Sequence, residues 1–129
     1  MTPEEFIAKQ SPDRQPLLRS IHEIILKTNK KAVAEVAPMM RQEMIQYKVN
    51  NYFVYALASP KTHMSIHSMP MYCTKSIHEK FSKLLKKAKF QKGCINFKDA
   101  TEMPLDIAED FMTECAKIDW VAVMKKYKK

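Results

Sequence analysis

Apolar residues along this chain recur at two different spacings, and the change between them separates its elements. From Pro12 to about Thr28, Leu17, Leu18, Ile21, Ile24 and Ile25 fall at i, i+1, i+4, i+7 and i+8. That is the stripe of an amphipathic helix. Between Met39 and Met69 the spacing shortens to two and the side chains become aromatic and β-branched, as in Tyr52-Phe-Val-Tyr-Ala-Leu-Ala58. This composition favours strands, and a run apolar on both faces suits a central one. Asn50-Asn51 offers a two-residue hairpin turn, because Asn tolerates positive φ. Ser59-Pro60-Lys61-Thr62 reads as a four-residue turn with Pro at its second position. Three antiparallel strands are therefore predicted over 39–69.

These turns fix a register. Val49 would face Tyr52, Tyr47 would face Val54, and Ile45 would face Ala56. Across the second turn, Ala58 would face His63, Ala56 would face Ser65, and Val54 would face His67. Side chains alternate sides along a strand. Met44, Phe53, Tyr55, Leu57, Met64 and Ile66 then form a core face beneath the long helix. Glu43, Ile45, Tyr47, Val54, Ala56, Ala58, His63, Ser65 and His67 form the other face. Its centre is small and its edge polar, which suits a groove.

Helix signals complete the plan. Thr2-Pro3-Glu4-Glu5 is a capping box, opening a short helix with Phe6 and Ile7. Ser11-Pro12 repeats the start signal before the long helix, and Asn29-Lys30-Lys31 ends it. The stretch 32–37 fits neither period clearly. Ser76-Ile77-His78-Glu79 has the form of a second capping box, leading a helix with Ile77, Phe81, Leu84, Leu85 and Ala88. The lone glycine, Gly93, precedes a fourth strand, Cys94–Phe97, and reads as a residue supplying an unusual backbone angle. Pro104 opens a helix with apolar Ile107, Ala108, Phe111, Met112 and Cys115, and Asp119 caps a last short helix. The expected order is α-βββ-α-β-α: an α+β fold around a mainly antiparallel sheet. At 129 residues this is one domain, with 118–129 a short C-terminal helix and basic tail.

Composition narrows the chemistry. No apolar run approaches the roughly 20 residues that span a membrane. The first residues have neither a basic region nor an apolar core, which predicts a cytoplasmic address. Cys73, Cys94 and Cys115 are too widely spaced for a structural zinc site and fit a reducing compartment. A single glycine excludes a P-loop or dinucleotide fingerprint, and no H-E-x-x-H or nucleophile elbow occurs. Cys73 could be activated near a helix start, but reads first as a half-buried, unreactive thiol. A non-enzymatic protein is expected. The net charge of +8 comes almost wholly from scattered lysines, with arginine only at 14, 19 and 41. The densest groups are Lys83, Lys86, Lys87, Lys89 and Lys92, and the tail Lys125-Lys126-Tyr127-Lys128-Lys129. Base-edge and bidentate phosphate reading rely on arginine, so nucleic acid is not the expected partner. A basic surface that docks an acidic partner is the alternative reading.

Lys92-Gly93-Cys94-Ile95-Asn96-Phe97, then Met103-Pro104-Leu105 and an apolar-periodic helix, resembles the closing motif of the YdhG-like family. That is a bacterial family with a domain of unknown function. Phe6-Ile7-Ala8 and the helix bearing Leu17, Leu18 and Ile21 agree with its front end, so the resemblance spans about 2–117. The family's Tyr-Gly-Met-Pro-like segment is replaced here by Arg41-Gln42-Glu43-Met44-Ile45. The resemblance implies a compact α+β carrier domain. Some members are frataxin-like iron chaperones, which implies iron as a cofactor or cargo by analogy.

Two sets of residues could bind. Asp106, Asp110 and Glu114 lie at i, i+4 and i+8 on one helical arc, where a cation would relieve their repulsion. The same arc suits a solvated face with acids near a helix start. On the sheet, Glu43, Tyr47, His63 and His67 could line a groove for a small ligand. His63 and His67 are about 13 Å apart along a strand and cannot chelate one metal together. That face would equally suit packing against helices or against a second subunit in a homo-oligomer.

Overall fold

The computed structural model of the chain describes residues 1–39 and 41–127; Lys128 and Lys129 of the basic tail lie outside them. The fold is α+β. Helices α1 (Pro3–Ala8) and α2 (Gln15–Thr28) precede strands β1 (Val33–Met39), β2 (Gln42–Val49), β3 (Tyr52–Ala58) and β4 (Met64–Ser68). Then come α3 (Met69–Cys73), α4 (Lys75–Leu84), β5 (Lys89–Phe90), β6 (Cys94–Phe97), α5 (Leu105–Ala116) and α6 (Trp120–Tyr127). All six strands form one antiparallel sheet in the order β1-β2-β3-β4-β6-β5.

The three predicted strands are β2, β3 and β4, and the fourth is β6. The stretch without a clear period is β1, an edge strand whose side chains are mostly small or half-buried. The β1–β2 turn carries Arg41 at φ 66°, and Asn50 and Asn51 carry φ 51° and 67° as their turn requires. The Thr2–Glu5 capping box forms reciprocally. Asp119 accepts from the Ala122 amide at 3.0 Å, capping α6. The second capping box does not form. Instead Ser68 caps α3, accepting from the Met71 amide, and α4 starts at Lys75 without a side-chain cap. Helix α4 also stops at Leu84, which is exposed, rather than running on to Ala88. Gly93 does not adopt a positive φ.

The core lies on one side of the sheet. Phe6 and Ile7 of α1, Leu18, Ile21 and Ile25 of α2, Phe81 of α4, and Phe111, Met112 and Cys115 of α5 pack against it. Phe81 and Phe111 meet edge to face at 5.2 Å. From the sheet the core receives Ile45, Tyr47, Val54, Tyr55, Leu57, Met64, Ile66, Ile95 and Phe97.

This list corrects the predicted faces on β2. The β2–β3 register runs Val49↔Tyr52 and Lys48↔Phe53, then jumps to Tyr47↔Tyr55 and Ile45↔Leu57. Val54 is the extra residue of a β-bulge, and a bulge reverses the alternation on one side of it. Ile45, Tyr47 and Val54 therefore enter the core, while Met44 and Phe53 move to the opposite face. The second turn is also two residues longer than predicted, pairing Ala58 with Ser65 and Ala56 with His67. Arg14 accounts for it. Its Nη1 donates to Ser59 Oγ at 2.8 Å and to the Pro60 and His63 carbonyls at 2.6 and 3.3 Å. Its Nη2 donates to the Lys61 carbonyl at 3.2 Å. One guanidinium from outside the sheet thus holds the whole loop.

Candidate functional site

The face away from the core has a centre of small residues. Met44, Ala56 and Ala58 form a separate apolar cluster joined by Met39 and Phe53, and no helix residue takes part among the described residues. Beside it, Ser65 stands between Ala58 and Asn96, and His67 between Ala56 and Cys94. Gln46 lies opposite Ala56 on the other side. The sheet thus brings a hydroxyl, an imidazole, a thiol and two carboxamides around an alanine floor.

Most of these polar groups have partners. Gln46 Nε2 reaches back to the Ala37 and Pro38 carbonyls at 3.5 Å. The Cys94 thiol donates to Gln91 Oε1 at 2.7 Å. Burial pushes that thiol up, with the neighbouring Ser65 hydroxyl offsetting part of the effect. Ser65 Oγ nonetheless makes no hydrogen bond of acceptable geometry, although Ser65 is only 3 % exposed. A buried hydroxyl without a partner costs about 1–3 kcal/mol, so it marks a place where stability has been given up. Burial also lowers the pKa of His67, which keeps its ring neutral.

Of the four groove residues expected from the sequence, the structure brings only His67 to this recess. Tyr47 is on the other face, fully buried, with its hydroxyl 2.7 Å from Nδ1 of His22. The Glu4 carboxylate lies 4.0 Å from His22 Nε2. Either tautomer keeps the two side chains paired: the phenol donates to a bare Nδ1, or a protonated Nδ1 donates to the phenol oxygen. Glu43 is exposed and pairs across to Pro38, in the alternation of the core face rather than of the recess. His63 precedes β4; its Nδ1 is 2.9 Å from Thr62 Oγ1, and its carbonyl belongs to the Arg14 clamp. Gln46 is the polar member that the register error on β2 hid, and Asn96 arrives with β6, whose partner strand has no local signal; Ser65 lies on the predicted face. An orphaned serine on a strand leaves no trace in sequence.

Of the acidic arc of α5, Glu114 alone is paired with lysines among the described residues, and Glu109 beside it meets another. Glu114 lies 3.8 Å from Lys80 and 3.4 Å from Lys117, and Glu109 lies 3.2 Å from Lys27. Asp106 and Asp110 are exposed. Among the described residues no three His, Cys, Asp or Glu side chains converge on a point that could hold a metal ion. The three cysteines are free thiols, Cys73 exposed and Cys94 and Cys115 buried. No described helix is long and apolar enough to cross a membrane.

The chain is a two-layer α+β domain with one sheet face packed by helices and, on the other, a small buried apolar cluster flanked by Ser65, His67, Gln46 and Asn96. Comparison with protein families, with curated proteins and with solved structures returns no match.

Proposed function

We propose that this chain is a non-enzymatic binding domain that holds a small uncharged polar molecule in the recess around Ser65. The observation that carries this reading is the Ser65 hydroxyl, buried beside the Cys94 thiol and making no hydrogen bond of acceptable geometry among the described residues. Its surroundings fit such a ligand. The partly exposed Met39 and Phe53, packed on the buried Met44, Ala56 and Ala58, would take an apolar body, while Ser65, neutral His67 and Asn96 would take its polar atoms. The recess has no carboxylate, the ligand a hard cation requires, so a neutral molecule fits better than iron. A carrier role is also what the YdhG-like resemblance of Lys92–Phe97 and Met103-Pro104-Leu105 implies.

Amide chemical-shift mapping against a panel of neutral polar small molecules tests the proposal. Ligands should move Ala56, Ser65 and His67 together, and Ser65→Ala should abolish this while leaving the free protein as stable as before or more so. A panel that moves none of these amides refutes the reading. So does a Ser65→Ala variant destabilised by more than about 1 kcal/mol, which would mean that the hydroxyl has a structural partner.

A further inference from the structure

The chain's only glycine lacks the backbone angle that usually calls for one. A Cβ on Gly93 would meet Tyr72 Cδ2 at 3.2 Å and Tyr72 Cβ at 3.7 Å. The glycine therefore lets the Tyr72 ring lie against the start of β6. Tyr72 remains 48 % exposed, among the few large apolar side chains that are. The Lys92 ammonium sits over this ring, 4.8 Å from its centroid. That ring is the only partner of Lys92 among the described residues, so its charge is held in place without being neutralised.

Tyr72 and Lys92 stand at a cleft of about 560 Å³ between α3, the start of α4 and the β5–β6 turn. Volumes of roughly 300–1,000 Å³ are typical of small-molecule sites. Met71 and Phe90 give it apolar walls. His78 packs edge to face on Phe90 at 5.5 Å, and its Nε2 donates to the Gln91 carbonyl at 3.1 Å, so the wall is fixed. Every charged group in the lining is a cation, since Lys75 joins Lys92 and no Asp or Glu is present. Lys75 is shared with Glu79 at 3.8 Å, which leaves Lys92 as the stronger anchor.

We propose that this cleft binds an aromatic carboxylate. The flat ring would lie against Phe90 and Met71, and the carboxylate would meet Lys92 at the mouth, with Tyr72 and Gly93 acting as the positioning pair. The inference stands apart from the Ser65 recess, because it rests on different residues.

Titration calorimetry with 2-naphthoate and its uncharged amide, 2-naphthamide, provides the test. Saturable binding of one naphthoate is expected, and naphthamide should bind more weakly. Lys92→Gln should weaken naphthoate by about three- to tenfold, the range for an exposed charge-assisted contact. Tyr72→Leu should do the same by releasing Lys92, with naphthamide little affected. Both residues are exposed, so these variants keep the fold. Lys83→Gln, away from the cleft, and Ser65→Ala should change nothing. The proposal fails if no saturable binding occurs, if naphthamide binds as well as naphthoate, or if Lys83→Gln costs as much as Lys92→Gln.

Discussion

The bulge at Val54 decides where Tyr47 points, and Tyr47→Phe measures that decision. Without the bulge the hydroxyl would sit at the edge of a polar groove, and its loss would cost little. With the bulge, Tyr47 is 0 % exposed and its hydroxyl lies 2.7 Å from a histidine that is itself 5 % exposed. Removing the hydroxyl deletes that hydrogen bond and leaves His22 Nδ1 unpaired in the core. A buried group stranded in this way costs about 1–3 kcal/mol. For a domain of 129 residues, each kcal/mol moves Tm by roughly 3–4 °C. Tyr47→Phe should therefore lower Tm by roughly 3–12 °C in a calorimetric scan. An ultraviolet pH titration adds an independent readout. Burial holds the Tyr47 and Tyr55 phenols well above their ordinary 10, so neither should ionise before the protein unfolds. A Tm change below about 1 °C, with Tyr47 titrating as an ordinary phenol, would refute the bulged register.

Acid should destabilise the fold through two histidines. Burial lowers the pKa of His22 and His67 below their ordinary 6.5, so between the folded and unfolded values the unfolded chain binds more protons. Stability is then full above about pH 6.5 and falls as the pH drops through the folded values; urea midpoints between pH 7.5 and 5 should show it, and His67→Gln should flatten the curve. Arg14→Ala should cost about 1–3 kcal/mol and speed amide exchange across 59–63, and Arg14→Lys should not rescue it, because one ammonium cannot span four acceptors. At the β2–β3 turn, Asn51→Ala should destabilise by about 1–2 kcal/mol, since its φ of 67° is costly for a residue with an ordinary Cβ, whereas Asn51→Gly should not. In the native state a thiol reagent should modify one cysteine of the three quickly, Cys73, with Cys94 and Cys115 reacting only on unfolding.

Much of the fold was legible because it is locally encoded. The α2 stripe, the Asn50-Asn51 turn, the Thr2–Glu5 capping box and the Asp119 cap each depend on residues within a few positions of one another. What could not be read depends on distant partners. Nothing near Ser59-Pro60-Lys61-Thr62 announces that Arg14, more than forty positions earlier, will hold the loop open by four hydrogen bonds. The bulge leaves no mark in Tyr52–Ala58, where every residue is apolar and either face could be the inner one. β1 escaped because an edge strand with Pro38 and two alanines has little periodicity to show. The candidate site followed the register, so the bulge removed Tyr47 and Glu43 from it while Ser65 and His67 stayed on the predicted face. Gly93 was misread for a different reason: glycine serves both unusual angles and close approach, and only geometry tells them apart.

The strand order has a consequence for how the chain reaches this structure. Every neighbouring pair in the sheet joins consecutive strands except β4 and β6, which are separated by α3, α4 and β5. The first four strands can therefore zip together through short loops, closures that cost little entropy and proceed quickly. Attachment of β6 beside Ser65 and His67 must wait for the chain to return across two helices. By loop-closure cost alone, the β4–β6 pairing is the most expensive contact of the sheet to form. Slowing that step should leave a meander of four strands with Ser65 and His67 still on an exposed edge.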